Sequence, residues 1–226
     1  MKITFPKVAP VSKKDCVNRL LKEAITSGAI ACGDQIVEAK VARQFGVGPG
    51  LVREALLELE YEGFIHRTPF SNTRVATLSD KDAQHIFDVR IELEPLAFEL
   101  AVRIVEPNDL AYLRNLMTQT KEGLNQGDLT YFFDNHLAFF RKAWELSGNK
   151  YLHQTLERLV VPLFVLYLTR PSFKCAGLMQ KAIACSDSHE QILETFRARD
   201  VCEVKRMVTD CLIQMKAIVS RGGSLE

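Results

Sequence analysis

The sequence predicts a mostly α-helical protein, in which a winged helix-turn-helix domain (small α+β) precedes an all-α bundle of six or seven helices. Three observations support this prediction. Residues 38–63 read as a helix, a glycine turn and a second helix. Two short β-prone runs at 64–67 and 73–76 then flank a turn-rich tip at 68–72, as in a wing. From about residue 79 onward, apolar residues recur only at the helical period.

Capping residues indicate where the two domains meet. Ser12 reads as the cap of a first helix, and Ser79 repeats the device before a long helix. We therefore expect a DNA-binding domain at 1–77 and a helical domain at 78–226, each long enough for its own core. The helices of the second domain are expected at about 80–105, 107–126, 129–147, 150–170, 177–198 and 199–220.

Glycine and proline residues locate the turn of the helix-turn-helix. Gly46 tolerates the positive φ that ends a helix, and Pro49 suits the first turn of the next helix, where its missing N–H would be unpaired. Arg53 falls opposite the apolar face of that helix, from which it can reach a phosphate or a guanine edge. Because any small α+β domain can hold a helix pair and a hairpin, the pattern favours DNA binding without excluding a structural role.

Composition and charge restrict the classes of protein to which the sequence can belong. The formal net charge is +1, yet residues 1–76 hold 11 Lys and Arg against 8 Asp and Glu, a mild positive excess on the expected DNA-binding half. The six cysteines form no Cys-x-x-Cys pair, which favours a reducing compartment over a disulfide framework. The N-terminus lacks the apolar run of a signal peptide, and the apolar stretch at 159–168 is about half a membrane span. We expect a cytoplasmic protein without a membrane partner.

The N-terminal half also resembles a known family. Ala-Ile-Thr-Ser-Gly-Ala-Ile-Ala-Cys-Gly-Asp-Gln-Ile at 24–36, followed by Val-Arg-Glu-Ala-Leu-Leu-Glu-Leu-Glu-Tyr-Glu-Gly-Phe-Ile at 52–65, resembles the GntR family of bacterial transcription regulators. This sequence departs from the family at Gly48, where a capping serine is usual, at Pro49, where members direct an arginine at DNA, and at the wing residue Asn72. The resemblance implies binding to double-stranded operator DNA, here through Lys40, Arg43, Arg53, Arg67 and Arg74.

The C-terminal half resembles the FCD ligand-sensing domain of the FadR-like branch of that family, at 90–101, 137–149 and 188–200. That domain commonly holds a divalent metal through an aspartate and three histidines. The corresponding residues here are His136, Phe140, His189 and Cys211, of which only His189 keeps the usual type.

Helical spacing places the same four side chains on apolar faces, which leaves two interpretations open. His136, His189 and Cys211 could form a soft site for weakly bound zinc. The favoured alternative is two hydrogen-bonded core histidines and an inert cysteine. Arg90 is similarly open, because it could pair with Glu94 on its own helix or take an effector carboxylate.

The combined expectation is a homodimeric transcription regulator, specifically a repressor, whose DNA affinity changes when a small carboxylate metabolite binds in the helical domain. The effector pocket would be lined by Arg90, His136, Phe140, His189 and Cys211. The alternative is a DNA-binding protein whose helical domain only dimerises. An enzyme would need a nucleophile–base or metal–base cluster, and the sequence offers no such cluster beyond the two histidines, so we expect no catalytic activity.

Overall fold

The computed structural model describes residues 12–67, 73–169 and 189–222. It confirms a mostly helical protein with a small sheet in its N-terminal part. That part comprises α1 (Lys13–Thr26), β1 (Gln35–Ile36), α2 (Glu38–Phe45), α3 (Pro49–Tyr61), β2 (Ile65–Arg67) and β3 (Thr73–Val75). The two runs predicted for the wing are thus strands, while the tip at 68–72 lies outside the described residues.

The sheet contains one strand that the sequence did not predict. Its order is β1-β3-β2 and both pairings are antiparallel, with Gln35 opposite Arg74 on one side of β3 and His66 opposite Arg74 on the other. A strand of two residues is too short to display the alternating pattern by which strands are recognised.

The predicted turn residues adopt the expected conformations. The side chain of Ser12 accepts a hydrogen bond from the Asp15 amide at 3.0 Å and caps α1. Gly46 ends α2 in the left-handed region with φ 62°. Gly48 is the N-cap of α3 without a side-chain hydrogen bond, and Pro49 follows in the first turn. The turn therefore depends on backbone conformation more than on capping side chains.

Helices make up the described remainder of the chain. They are α4 (Asp80–Ile104), α5 (Pro107–Gln126), α6 (Leu129–Leu146), α7 (Lys150–Thr169), α8 (residues 189–198) and α9 (Val201–Gly222). These bounds agree with the expected segments, except that 177–188 lie outside the described residues. Ser79 and Asp82 form the capping box that starts α4. No helix within 12–67, 73–169 and 189–222 is long and apolar enough to cross a membrane.

The bundle is organised around α4 and α6. Helix α4 packs against α9, α6 and α7, and α5 packs along α6. Gly123 permits the α5–α6 contact, because a Cβ built there would lie 2.6 Å from the backbone nitrogen of Phe132. Backbone atoms cannot yield as a flexible side chain does, so these two helices have a fixed separation.

This contact yields a prediction about stability. Gly123→Ala should lower the free energy of unfolding by about 1–3 kcal/mol, because the new methyl group must push α5 and α6 apart. Gly50→Ala is the matched control, since a Cβ at this helical position meets no atom within 4 Å. It should raise stability by up to about 1 kcal/mol through helix propensity. Urea unfolding of both variants measures the difference, and equal effects would contradict the packing argument.

Candidate DNA-binding surface and sensor core

The basic residues predicted to contact DNA come from four elements of the N-terminal half, namely α2, α3, β2 and β3. Lys40 and Arg43 are exposed on α2, and Arg53 is exposed on α3 with 62% of its side-chain surface accessible. Arg67 on β2 is half-buried, and Arg74 on β3 is exposed. All five side chains belong to the helix-turn-helix or its wing, where positive charge can neutralise phosphates.

A carboxylate that the sequence analysis did not single out joins two of these arginines. Glu38, the first residue of α2, accepts hydrogen bonds at Oε2 from Arg53 Nε (3.3 Å) and Nη2 (3.2 Å). Its Oε1 accepts from Arg67 Nη2 at 2.9 Å. Glu38 stands in the helix-turn-helix motif itself, but its partners are 15 and 29 residues away. No periodic pattern reports contacts over such separations.

Strand register separates the two wing arginines. Arg67 pairs with Thr73 and Arg74 pairs with His66, so Arg67 and Arg74 emerge on opposite faces of the hairpin. Arg74 Nη1 donates to the Gly33 carbonyl at 2.8 Å, which ties it to the segment before β1. The structure therefore brings Arg67, and not Arg74, to α3, the expected recognition helix.

Four of the five predicted effector residues, Arg90, His136, Phe140 and His189, lie together in the helical half around the ring of Phe140. Phe140 lies 5.1 Å from His136 and 5.4 Å from His189 between ring centroids, and the two imidazoles are 4.9 Å apart. The Arg90 guanidinium lies over the Phe140 ring at 5.9 Å. Further aromatic rings complete this cluster, namely Phe98, Phe132, Phe139, Trp144 and Phe164.

Arg90 is both buried in this core and paired on its own helix. Its Nε donates to Glu94 Oε2 at 2.9 Å, and the side chains are only 5% and 0% exposed. The two interpretations left open for Arg90 are therefore compatible. Nε is the atom that contacts Glu94, while the Nη nitrogens carry the remaining donors of the guanidinium.

Several buried polar atoms near this cluster make no hydrogen bond with any described residue. They are Glu94 Oε1, His136 Nδ1 and Trp144 Nε1. Leaving a buried donor or acceptor unsatisfied costs about 1–3 kcal/mol, so native proteins rarely bury three together without a water or ligand. The core thus has the chemistry of a polar ligand site with aromatic walls.

His136 is neutral in this environment. Burial lowers the pKa of its imidazole well below 6.5, and the charges of His189 and Arg90 lower it further. A neutral imidazole can both donate and accept a hydrogen bond.

The same residues do not fit the metal that the fold family implies. Within 12–67, 73–169 and 189–222, no three His, Cys, Asp or Glu side chains are grouped so as to hold a metal ion. Cys211 is half-buried on α9, and Phe140, which offers no donor atom, contacts both histidines. Two imidazoles alone fall short of the three protein ligands of a zinc site.

The helices of this core also contact the DNA-binding half. Pro162 on α7 packs against Gly63, where an added Cβ would lie 2.9 Å from Pro162 Cγ. One turn earlier on α7, the Arg158 guanidinium lies 6.0 Å from the Tyr61 ring at the end of α3. Phe164, two residues beyond Pro162, lies 5.7 Å from His136. Helix α7 therefore contacts both the end of α3 and the aromatic cluster around Phe140, which is called the sensor core below.

Helix α6 likewise lies between the aromatic cluster and the DNA-binding half. It directs His136 and Phe140 inward, whereas Asp134 interacts electrostatically with Lys22 of α1. Burial raises the pKa of the Asp134 carboxyl, and the charges of Lys22 and Arg141 oppose that rise. A groove of about 650 Å³ separates the end of α3 from the bundle, lined by residues of α3, α5, α6 and α7 that include Glu58, Tyr112, Ala138 and Gln154.

A winged helix-turn-helix followed by a helical bundle is the architecture of a class of DNA-binding transcription regulators, and comparison with known proteins identifies the family. Residues 13–75 match the model of the bacterial regulatory proteins of the gntR family, and residues 85–214 match the FCD domain. The chain belongs to the GntR family and carries an FCD domain, as the sequence analysis predicted. Its relatives are transcription regulators, not enzymes.

The relatives with assigned names resemble the chain over part or most of its length. It is 29% identical over 140 residues to the uncharacterized regulator YdhC of Bacillus subtilis, and this match covers 62% of this chain and 62% of YdhC. It is 28% identical over 141 residues to McbR of Escherichia coli, or 62% of this chain and 64% of McbR. The gluconate operon transcriptional repressor of Bacillus subtilis is 28% identical over 185 residues, 80% of this chain and 74% of the repressor.

Solved structures show the same fold. E. coli McbR/YncC superposes with a TM-score of 0.74 at 24% identity, covering 94% of this chain and 99% of that structure. A GntR regulator from Rhodococcus sp. RHA1 gives 0.71 at 16% identity, covering 95% and 99%. At these identities the likeness concerns the architecture of both halves.

The buried imidazole predicts how stability depends on pH. Because the pKa of His136 is lowered in the folded state, the unfolded chain binds a proton there that the folded chain does not. As far as His136 determines it, the free energy of unfolding has its full value above about pH 7. It decreases as the pH falls below about 6.5, by up to about 1.4 kcal/mol per pH unit. Melting temperatures from pH 7.5 to 5.5, in buffer with a chelator, should therefore fall.

A ring-preserving variant isolates this effect. His136→Phe keeps an aromatic ring against Phe132 and should make the decline shallower. His85→Gln, at an exposed position on α4, should leave the decline as in the wild type. A His136→Phe variant that declines as steeply as the wild type would assign the pH dependence to another group.

Proposed function

We propose that this protein is a dimeric cytoplasmic repressor that binds operator DNA through its winged helix-turn-helix and releases it when a small organic acid binds beside Phe140. One observation carries the proposal. Helix α7, which contributes Phe164 to the aromatic cluster, also contacts the DNA-binding half through Pro162 and Arg158. Helix α6, which contributes His136 and Phe140, packs against α7. A ligand that shifts these helices therefore acts on the recognition helix.

The chemistry of the core supports a small acid with further polar groups. The Nη donors of Arg90 can hold a carboxylate in bidentate fashion. Trp144 Nε1 offers a donor and Glu94 Oε1 an acceptor, which suit the oxygen and the hydroxyl group of a hydroxy acid. The surrounding aromatic rings exclude water and strengthen these hydrogen bonds.

A thermal-shift screen tests this part of the proposal. At least one member of a panel of aliphatic and hydroxylated carboxylic acids should raise the melting temperature and weaken DNA binding in the same concentration range, by mass action. His136→Phe should remove the shift for that acid while the variant remains folded. If no acid produces a shift, the dimerisation-only alternative, favoured by Phe140 at a usual ligand position, takes precedence.

A partly exposed apolar stripe on α4 supports the dimer. Its apolar residues follow heptad spacing of three and four, as at the seam of a coiled coil. Val89 and Leu96 are 42% and 39% exposed, a high accessibility for large apolar side chains in one stripe. The complete stripe is Ile86, Val89, Leu93, Leu96 and Leu100. A second copy of the chain would cover it and place two winged helices on the two half-sites of an operator.

Substitution in this stripe tests the dimer. Leu96→Glu should raise the dimer dissociation constant by about a hundredfold or more, because it buries an unpaired carboxylate at the interface. Tyr151→Glu, at a 70% exposed position on α7, is the control and should leave the dimer intact. Light scattering over a dilution series provides the measurement. A Leu96→Glu protein as dimeric as the wild type would move the interface elsewhere.

DNA binding is tested at the recognition helix. Arg53→Ala should weaken binding to a duplex selected from a random pool by about 1–3 kcal/mol and relax the preference at one position. Arg74→Ala, on the other face of the wing, should weaken binding evenly across sequences as the loss of a phosphate contact does. Arg19→Ala, at an exposed pair on α1, is the control. Unchanged affinity of a folded Arg53→Ala protein would remove Arg53 from the interface.

A further inference from the structure

The carboxylate of Glu38 occupies an unusual place for a negative charge. It lies within the basic surface that would meet the DNA backbone, where it repels phosphates. Yet it is the common acceptor for one arginine of the recognition helix and one of the wing. Its side chain is 23% exposed, as is that of Arg67, whereas Arg53 is 62% exposed. The pairing is thus anchored at Glu38 and Arg67, and Arg53 projects from the anchor.

We propose that Glu38 is a positioning residue that holds Arg53 for contact with a base edge and thereby determines operator specificity. The inference rests on the proposed DNA-binding role of this surface.

The geometry of the guanidinium explains the effect. Glu38 contacts Arg53 through Nε and Nη2, which fixes the plane of the guanidinium and leaves Nη1 directed away from the carboxylate. An unrestrained arginine at a DNA surface has many phosphates within reach and binds them without regard to sequence. A restrained arginine reaches only the groups that lie along its fixed direction. Base-edge recognition by arginine depends on such directed N–H groups.

The charge of Glu38 acts in the same sense. One carboxylate between two guanidinium groups leaves the cluster with a single net positive charge. Phosphate attraction is therefore weaker than two free arginines would provide, and unrelated DNA is bound less well. Operator DNA regains the difference through the base contact. Affinity for unrelated DNA is reduced while affinity for the operator is retained, so the ratio of the two affinities rises.

Arg67 extends the restraint to the wing. Because Glu38 Oε1 binds Arg67 while Oε2 binds Arg53, β2 and α3 are held at one spacing. The wing and the recognition helix then meet DNA as a unit. Loss of the carboxylate releases both arginines at once, which a loss of either arginine alone does not reproduce.

The test compares affinities for two duplexes at several salt concentrations. One duplex is selected by the wild-type protein from a random pool, and the other is an unrelated sequence of equal length. The ratio of the two dissociation constants does not depend on the active fraction of a preparation, so a partly unfolded variant still gives a valid answer. If the wild type selects no duplex, the DNA-binding proposal fails and not the inference on Glu38.

Glu38→Gln should lower this ratio by about tenfold, chiefly through tighter binding to the unrelated duplex. Its salt dependence on that duplex should steepen by about one phosphate contact. Glu38→Asp keeps the charge but is one methylene too short to reach both arginines, so it should lower the ratio without steepening the salt dependence. Glu23→Gln, which removes the same charge from an exposed Arg–Glu pair on α1, should stay within about twofold of wild type.

A double variant decides the mechanism. In the Arg53→Ala background, Glu38→Gln should change the ratio little further, because the residue that Glu38 positions is absent. The inference is overturned if Glu38→Gln keeps the wild-type ratio, or if it lowers the ratio equally with and without Arg53. Loss of binding to both duplexes by a folded Glu38→Gln protein would also overturn it, since Glu38 would then contact DNA directly.

Discussion

The close approach of Gly63 to Pro162 fixes how the two halves of the molecule meet. Gly63 has φ +82°, and a Cβ there would lie 2.9 Å from Pro162 Cγ, so the contact tolerates no side chain. Pro162 stands inside α7, where it removes one backbone N–H and favours a bend. The position of the recognition helix therefore depends on the course of α7. That course in turn depends on how Phe164 and its neighbours pack in the sensor core.

The Arg90–Glu94 pair places two charges inside that core, where the proposed ligand would bind. Burying two charges requires strong mutual compensation, and such a pair rarely adds stability beyond what an apolar core would supply. Here the compensation is incomplete, since Glu94 Oε1 and the nearby Trp144 Nε1 make no hydrogen bond with a described residue. A ligand that forms hydrogen bonds with these two atoms would bind more tightly, because it would remove the free-energy cost of leaving them unsatisfied. Aromatic rings around it keep the site free of competing water, so small changes in hydrogen bonding have large energetic consequences.

The sequence predicts those features that depend on local backbone chemistry. Gly46 and Pro49 locate the helix-turn-helix, and helical periodicity locates α4 to α7 within one or two residues. It fails where a structure depends on pairing over distance. The two-residue strand β1 has no pattern of its own, and the partners of Glu38 are separated from it by 15 and 29 residues. Likewise, inward faces predicted His136, Phe140 and His189 as neighbours, but not that Phe98 and Phe164 would complete their cluster.

Under the proposed function, a small shift of α7 would alter DNA binding because the recognition helix amplifies it. Arg53 precedes Gly63 by ten residues of mostly helical chain, or about 15 Å at the helical rise. A rotation of about 10° about the Gly63–Pro162 contact thus moves Arg53 by roughly 2–3 Å, which is enough to break a hydrogen bond to a base. In a dimer the same rotation acts on both half-sites with opposite sense and changes their separation, which DNA fixes at about 34 Å. An effector shifts this equilibrium only by its difference in affinity for the two arrangements. Because the rotation is small, the groove between α3 and the bundle can accommodate it without breaking either hydrophobic core.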